Sequence, residues 1–275
     1  SDICNADEGE PCTFKDRELI AQDPFNLIEG MIIAGYTIKA QDGYIYLREE
    51  YSHLRPILQK AIQQAKNYGF LGTNILGKGF DFNIHLYSGA GAYVCGEGTA
   101  LIRSIEGKAG RPRMKPPFIK QSGRFALPTC GNNVESRSIV PHLLLDDQKE
   151  YLSYGSGESI GTKMISVGGN VKHPGVFEIP FGTTIREIIY SLAGGIQEDR
   201  NIRLIQFGGA SGKIAGPSIL DTPYTYDDLK AAGVTVGSGA ILVVDERTSV
   251  LDFLRITQAV FSHESCGQCT PCREG

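Results

Sequence analysis

No apolar run in the 275-residue chain reaches the ~18 residues that a membrane-spanning helix requires, so no span is expected. The opening residues, Ser1-Asp2-Ile3-Cys4-Asn5, show neither a signal-peptide pattern nor an initiator methionine. A secretory signal is therefore not expected, and a fragment truncated at its N-terminus is. There is no basic run or basic face either, and a formal net charge of -4 gives no case for binding nucleic acid. Cys4, Cys12, Cys95 and Cys130 are scattered without pairing logic, which argues against a disulfide scaffold and for a reducing compartment. The cytoplasm is the expected setting, with an organelle matrix or the inner face of a membrane complex as alternatives. What is present is an ordinary globular composition, 41% hydrophobic and 21% charged, enough for one large or two ordinary domains.

The other cysteines, Cys266, Cys269 and Cys272, stand at C-x2-C-x2-C spacing near the end of the chain. Three thiolates within a few residues suit an iron–sulfur cluster, in which each iron of a cubane takes one thiolate. Zinc sites usually show two separated pairs, and a zinc site or a disulfide cluster stays open on spacing alone. A [4Fe–4S] cluster needs a fourth ligand, expected outside this chain.

Upstream, the spacing predicts alternating helices and strands. Asn5 to Pro11 is an acidic, turn-forming stretch expected to follow a strand. Asp23-Pro24 predicts a helix start, with Asp as N-cap and Pro in the first turn, followed by Leu27, Ile28, Met31 and Ile32 at helical spacing. Gly43 to Arg48 reads as a strand. Ile57, Leu58, Ile62 and Ala65 mark a second amphipathic helix ending near Gly69, and Phe82, Ile84 and Leu86 alternate as a strand with one buried face. This order predicts an α/β layer structure. The turn Gly89 to Ala100 leads from strand to helix, where glycines admit a ligand to the backbone and free N–H groups meet an anion. By itself it is equally a tight turn. Gly110 to Phe118 is cationic and stiffened by proline, able to set Lys115 and Phe118 against an anionic, aromatic ligand or to serve as a surface connector. From about Gly161 the texture shifts to short strands (164–167, 176–179, 204–207 and 241–244) with a helix around 184–192, a small α+β module with few converging ionisable groups. A last helix carrying Leu251, Leu254 and Val260 leads into the cysteines.

Asn5-Ala6-Asp7-Glu8, Thr13 to Arg17, the Gly89 to Ala100 turn, Arg113 to Phe118, Asn132 to Glu135 and Glu264 to Gly275 follow one another in an order seen in one family. End to end, the chain resembles the FMN- and NADH-binding flavoprotein subunit of respiratory complex I. The same family holds the diaphorase subunits of NAD(P)-linked hydrogenases and formate dehydrogenases. The resemblance implies a Rossmann-like flavin domain over 1–160, a β-grasp module of the soluble-ligand-binding type over 161–247, and the start of a helical [4Fe–4S]-binding domain over 248–275. Carried over by motif, Asn5, Asp7, Glu8, Tyr93, Gly96, Glu97, Asn132 and Asn133 would line FMN. Glu10, Lys115 and Phe118 would meet NADH or NADPH, Phe118 by stacking on a ring and Lys115 by its charge. Cys266, Cys269 and Cys272 would be three ligands of the [4Fe–4S] cluster. The implied activity is that of an NAD(P)H dehydrogenase: hydride passes from nicotinamide to flavin, then single electrons to the cluster. No side chain need act as an acid or base. Implied partners are a thioredoxin-like [2Fe–2S] subunit and a larger multi-cluster iron–sulfur subunit. The competing expectations are a cofactor-less scaffold and a zinc-binding structural subunit.

Departures from the family pattern carry their own expectations. The glycine-rich FMN loop that precedes Asn5 in the family is absent from this chain. Gly98 stands where the family usually has a second glutamate, near the adenosine ribose. Losing that carboxylate should relax discrimination against a 2′-phosphate. Gly9 and Cys12 replace the more usual small residues of the acidic loop, with Cys12 expected to be a buried, inert thiol.

Overall fold

The computed structural model describes residues 1–145 and 148–274. The chain divides into two compact units, one made of Ser1–Gly9, Asp16–Leu145 and His263–Gly275, the other of Glu10–Lys15 and Asp146–Ser262.

The first unit is built on β1 (Asp2–Ala6), α1 (Lys15–Gln22), α2 (Pro24–Ile38), β2 (Asp42–Leu47), α3 (Arg55–Asn67), β3 (Asn83–Ser88), α4 (Gly98–Ile105), β4 (Cys130–Asn133) and α5 (Val134–Leu145). The four strands form an all-parallel sheet in the order β3-β2-β1-β4. Parallel strands need apolar cover on both faces. One face packs Cys4, Ala6, Ile45 and Ile84 against Leu27, Met31, Leu58 and Ile62. The other sets Ile3 and Tyr46 under Cys95, Leu101 and Ile102. As expected, Asp23 caps α2 by accepting the Asn26 N–H at 3.1 Å, with Pro24 in the first turn. The α2–α5 packing depends on Gly30, because a Cβ there would lie 1.9 Å from the Arg137 carbonyl oxygen. Ile57 departs from the predicted stripe of α3: it is 37% exposed, and Ala61 takes the buried position instead. Gly69, at φ +75°, ends that helix in the left-handed region where glycine is favoured.

The second unit contains α6 (Gln148–Ser153), a hairpin of β5 (Gly155–Ser156) and β6 (Ser159–Ile160), then β7 (Thr162–Gly169), β8 (Gly175–Pro180), β9 (Ile202–Phe207), β10 (Lys213–Ala215), α7 (Tyr226–Ala231) and β11 (Ala240–Asp245). Its five-stranded sheet runs β10-β9-β11-β7-β8, with β11 parallel to β7 and the other neighbours antiparallel. Each predicted strand of this region lies inside one of these. The predicted helix around 184–192 is a single wide turn over Glu187–Leu192 that buries Ile188 and Ile189. The chain then enters α8 (Val250–His263) and α9 (Thr270–Glu274). Of α8's apolar positions, Leu251 and Leu254 are exposed and Phe253 is the buried one, so the stripe predicted from spacing is not the buried face. Among the described residues no helix is long and apolar enough to cross a membrane.

Candidate functional site

Ligands of open parallel sheets bind at the carboxyl ends of the strands, and the first unit gathers its motifs there. Near the end of β1, the Asn5 side chain bridges two stretches. Its Nδ2 donates to the Gly96 carbonyl at 2.9 Å, and its Oδ1 accepts the Asp7 N–H at 3.0 Å. At the end of β4, Asn133 Oδ1 accepts the Glu135 N–H at 3.0 Å at the start of α5, while its Nδ2 donates to Asp16 Oδ2 at 2.6 Å. Between these amides lies a cleft of about 330 Å³ lined by Ile3, Asn5, Leu101, Ile119, Asn132 and Asn133, with Gly98 and Gly131 at its wall. The glycines keep it open; a Cβ on Gly131 would stand 3.1 Å from Ile119 Cδ1. Apolar walls with amide edges fit a flat heteroaromatic group that offers donors and acceptors along its rim, as FMN does.

The glycine-rich turn differs from expectation in one respect. Glu97 caps α4, its Oε2 accepting the N–H groups of Thr99 at 2.9 Å and Ala100 at 3.0 Å and the Thr99 hydroxyl. The first turn of this helix is thus satisfied by its own carboxylate rather than held free for an anion. The other oxygen of Glu97 binds Lys115 Nζ at 2.7 Å. Burial acts to raise the Glu97 carboxyl, but hydrogen bonds from Lys115, Thr99 and Ala100 outweigh it and hold the group below its ordinary value. Phe118 is 48% exposed on the same loop.

Asp7 and Glu8 are buried with different partners. Glu8 receives the Asp16 N–H at 2.9 Å, the Arg17 N–H at 3.3 Å and the Tyr51 hydroxyl at 2.9 Å, clamping the start of α1. Asp7 Oδ2 is buried and accepts no hydrogen bond. Burial pushes the Asp7 carboxyl up to about 7; the Arg48 guanidinium pulls it down, and the carboxylates of Glu50 and Glu264 push it further up. Arg48 itself binds the Glu8 carbonyl and pairs with Glu50. Tyr93 gives its N–H to Glu264 Oε2 at 3.0 Å. Glu10 belongs to the second unit, where its Oε1 accepts the Ser211 hydroxyl at 2.5 Å. Cys12 lies there too, half-buried, its thiol pushed up to about 11 by burial, as suits an inert sulfur.

All three C-terminal cysteines are free thiols, Cys266 half-buried and Cys269 and Cys272 exposed. Cys269 O accepts the N–H groups of Cys272 at 3.1 Å and Arg273 at 3.0 Å, which starts α9. The chemistry of this donor set fits thiolate-bound iron. The geometry does not yet gather it: among the described residues, no three His, Cys, Asp or Glu side chains converge as a metal site.

Sequence reasoning missed Arg48, Glu50, Tyr51 and Asp16 as partners of the acidic loop. The available signal was the charged Arg48-Glu49-Glu50 run directly after a predicted strand, at the end of the sheet where ligands bind.

Three family models match in succession. The one described as the Nuo51 FMN-binding domain covers residues 3–142, the SLBB domain 164–217, and the NADH-ubiquinone oxidoreductase-F iron-sulfur binding region 252–275. The chain is 46% identical over 273 residues to the F subunit of the NADH-quinone oxidoreductase of Aquifex aeolicus, covering 99% of itself and 63% of that protein. It is 42% identical over 272 residues to the corresponding F 2 subunit of Rhizobium meliloti, covering 99% of itself and 65% of that protein. To the NADP-reducing hydrogenase subunit HndC of Solidesulfovibrio fructosivorans it is 42% identical over 273 residues, covering 99% of itself and 56% of that protein. The chain thus spans less than two thirds of the length of these relatives. Among solved structures, the NAD+-reducing [NiFe]-hydrogenase in its H2-reduced state matches with a TM-score of 0.89 at 36% identity, over 99% of this chain and 45% of that one.

Proposed function

We propose, for a chain that belongs to the Nuo51 FMN-binding domain family, that it is the electron-input part of an NAD(P)H-oxidising flavoprotein subunit. The observation that carries this reading is the cleft flanked by Asn5, Asn132 and Asn133, which lies within the segment matched by the FMN-binding family model. Parallel strand order β3-β2-β1-β4 with helices on both faces supports a Rossmann-like reading of this unit. When bound, FMN supplies hydride acceptance from NADH and one-electron release to a [4Fe–4S] cluster.

The residues do the holding. Asn5, Asn132 and Asn133 offer amide donors and acceptors to the flavin, and Tyr93, Gly96 and Glu97 form the turn beside it. Glu8 acts by fixing the loop that carries Asp7, since its carboxylate is engaged with α1 and Tyr51. Lys115 and Phe118 present a cation and a ring to the dinucleotide. Cys266, Cys269 and Cys272 supply thiolates for the cluster. Its partners in this reading are a thioredoxin-like [2Fe–2S] subunit and a larger multi-cluster subunit, on the cytoplasmic or matrix side.

The test is a visible absorption spectrum of the full gene product, purified without oxygen, before and after NADH or NADPH. Flavin bands that bleach on adding nucleotide, over a broad iron–sulfur shoulder, are expected. A protein that stays colourless after reconstitution with FMN, iron and sulfide overturns the reading in favour of a scaffold.

A further inference from the structure

Three stretches remote in sequence meet at Tyr93 in the first unit. The Tyr93 N–H donates to Glu264 Oε2 at 3.0 Å across 171 positions of chain. Gly9 lies against the same residue, since a Cβ built there would stand 3.3 Å from Tyr93 Cδ2 and 3.5 Å from its Cα. Asp7, two residues earlier, feels the Glu264 charge. The acidic loop, the glycine-rich turn and the segment leading into the cysteines therefore converge on one residue.

Glu264 sits in the short irregular stretch between two helices. Helix α8 ends at His263 and α9 begins at Thr270, so Cys266 and Cys269 lie on irregular backbone. Contacts of that segment with itself include Ser265 Oγ to Cys272 Sγ at 3.1 Å, Gly267 N–H to Ser265 Oγ at 3.4 Å, and Cys269 O with Cys272 and Arg273. These contacts lie within the cysteine loop itself. The Glu264 bond reaches out of the loop, and it is charge-assisted, a class roughly twice as strong as neutral hydrogen bonds.

We propose that Glu264 is a positioning residue. It docks the segment bearing Cys266, Cys269 and Cys272 onto the glycine-rich turn at Tyr93, and so sets the separation between the flavin site and the thiols. This rests on the flavin and cluster reading above. The step it governs is electron transfer: the reduced flavin would give up two electrons, one at a time, to the cluster, and the N–H proton it gained with the hydride would leave to solvent.

Two measurements on the full gene product test the proposal. In the cofactor-free protein, Glu264→Ala should speed hydrogen exchange of the Tyr93 amide by about ten- to a hundredfold, the loss expected for one charged hydrogen bond. Glu264→Gln, whose amide oxygen still accepts, should restore protection. Glu264→Asp, too short by one methylene, should behave like the alanine variant and stands in for it if alanine does not fold. In the loaded protein mixed rapidly with NADH, Glu264→Ala should bleach the flavin at the normal rate but the iron–sulfur shoulder at least about tenfold more slowly. Again glutamine should restore it. Unchanged exchange at Tyr93, or equal slowing of both optical phases, overturns the docking role. Absence of flavin bleaching in the unmodified protein sinks the functional reading instead, and the exchange data still decide the dock.

Discussion

Lys115 and Glu97 form an ion pair, Nζ to Oε1 at 2.7 Å, through a carboxylate whose other oxygen caps α4. One side chain thus serves both the helix and the cation proposed to meet the dinucleotide. The pair is part-exposed, and such pairs contribute about 0–1 kcal/mol. Lys115→Met should therefore leave thermal stability nearly unchanged while weakening dinucleotide binding by about tenfold, the loss of one charged contact. Glu97→Ala should cost about 1 kcal/mol through the lost cap. Fluorescence titration with NADH beside melting curves checks both; an unaltered Kd in Lys115→Met removes this lysine from the nucleotide site.

Glu8 illustrates a residue whose measured effect will not be the one its motif suggests. It satisfies two backbone donors of α1 and the buried Tyr51 hydroxyl. Replacement by alanine removes the acceptor that these three bonds share, and an unsatisfied buried donor costs about 1–3 kcal/mol. Glu8→Ala should lower stability by about 3 kcal/mol or more, whereas Tyr51→Phe, which removes one donor, should cost about 1 kcal/mol. Urea unfolding of the two variants settles it. Equal, small losses would mean that the clamp is not holding the loop.

The contrast between these residues shows what can be read from a linear chain. Much of the strand and helix identity followed from periodicity, because Ile84 and Leu86 alternate with polar partners along Asn83–Ser88 and a capped helix such as Pro24–Ile38 begins at Asp23-Pro24. The asparagines were found because they sit in recognisable motifs, and the fold brings Asn5 and Asn132, on the paired strands β1 and β4, to one cleft. Which groups a carboxylate satisfies is another matter. The turn before α4 read equally as an open anion site or a tight turn, and Glu97 closes it, while Glu8 partners Tyr51, 43 positions away. The Glu8–Tyr51 pairing depends on how the sheet orders its strands, which local spacing does not encode, whereas Glu97 caps donors only two and three residues on and escaped notice because Glu is not a usual N-cap residue. The exposed Leu251 and Leu254 mark the same limit, for a helix's buried face depends on what it packs against.

Asp7 gives a pH signature. Its carboxyl is pushed up from 3.8 to about 7, chiefly by burial. Asp2, also buried and paired with Arg137, is pushed up to about 6. A raised folded-state value means that the folded protein holds the proton more tightly than the unfolded one. The stabilising contribution is complete below pH ~4 and is lost as pH rises through about 7. For Asp7 the interval from 3.8 to about 7 corresponds to a loss on the order of 4 kcal/mol. Asp7→Asn keeps the shape without the charge, so it should be more stable than the parent at pH 8 and similar to it at pH 4. Unfolding free energies of both proteins at the two pH values check this. A difference that does not grow with pH would show that Asp7 is ionised at no cost.

Gly98 offers the clearest substitution for nucleotide choice. A Cβ there meets Ile119 Cδ1 at an ordinary 3.7 Å, and the position opens α4. Glutamate is thus sterically admissible, and a carboxylate in the first turn adds about 0.3–1 kcal/mol of favourable dipole interaction. Gly98→Glu should fold at least as well as the parent. In the proposed reading position 98 faces the adenosine ribose, so restoring the family's second carboxylate there should repel a 2′-phosphate and lower the NADPH-to-NADH ratio of kcat/KM by roughly ten- to a hundredfold. FMN content is measured in parallel, because Gly98 also borders the cleft of Asn5 and Asn132. Unchanged flavin with a fallen ratio places Gly98 at the nucleotide. Lost flavin with an unchanged ratio places it at the flavin instead and removes it from nucleotide selection.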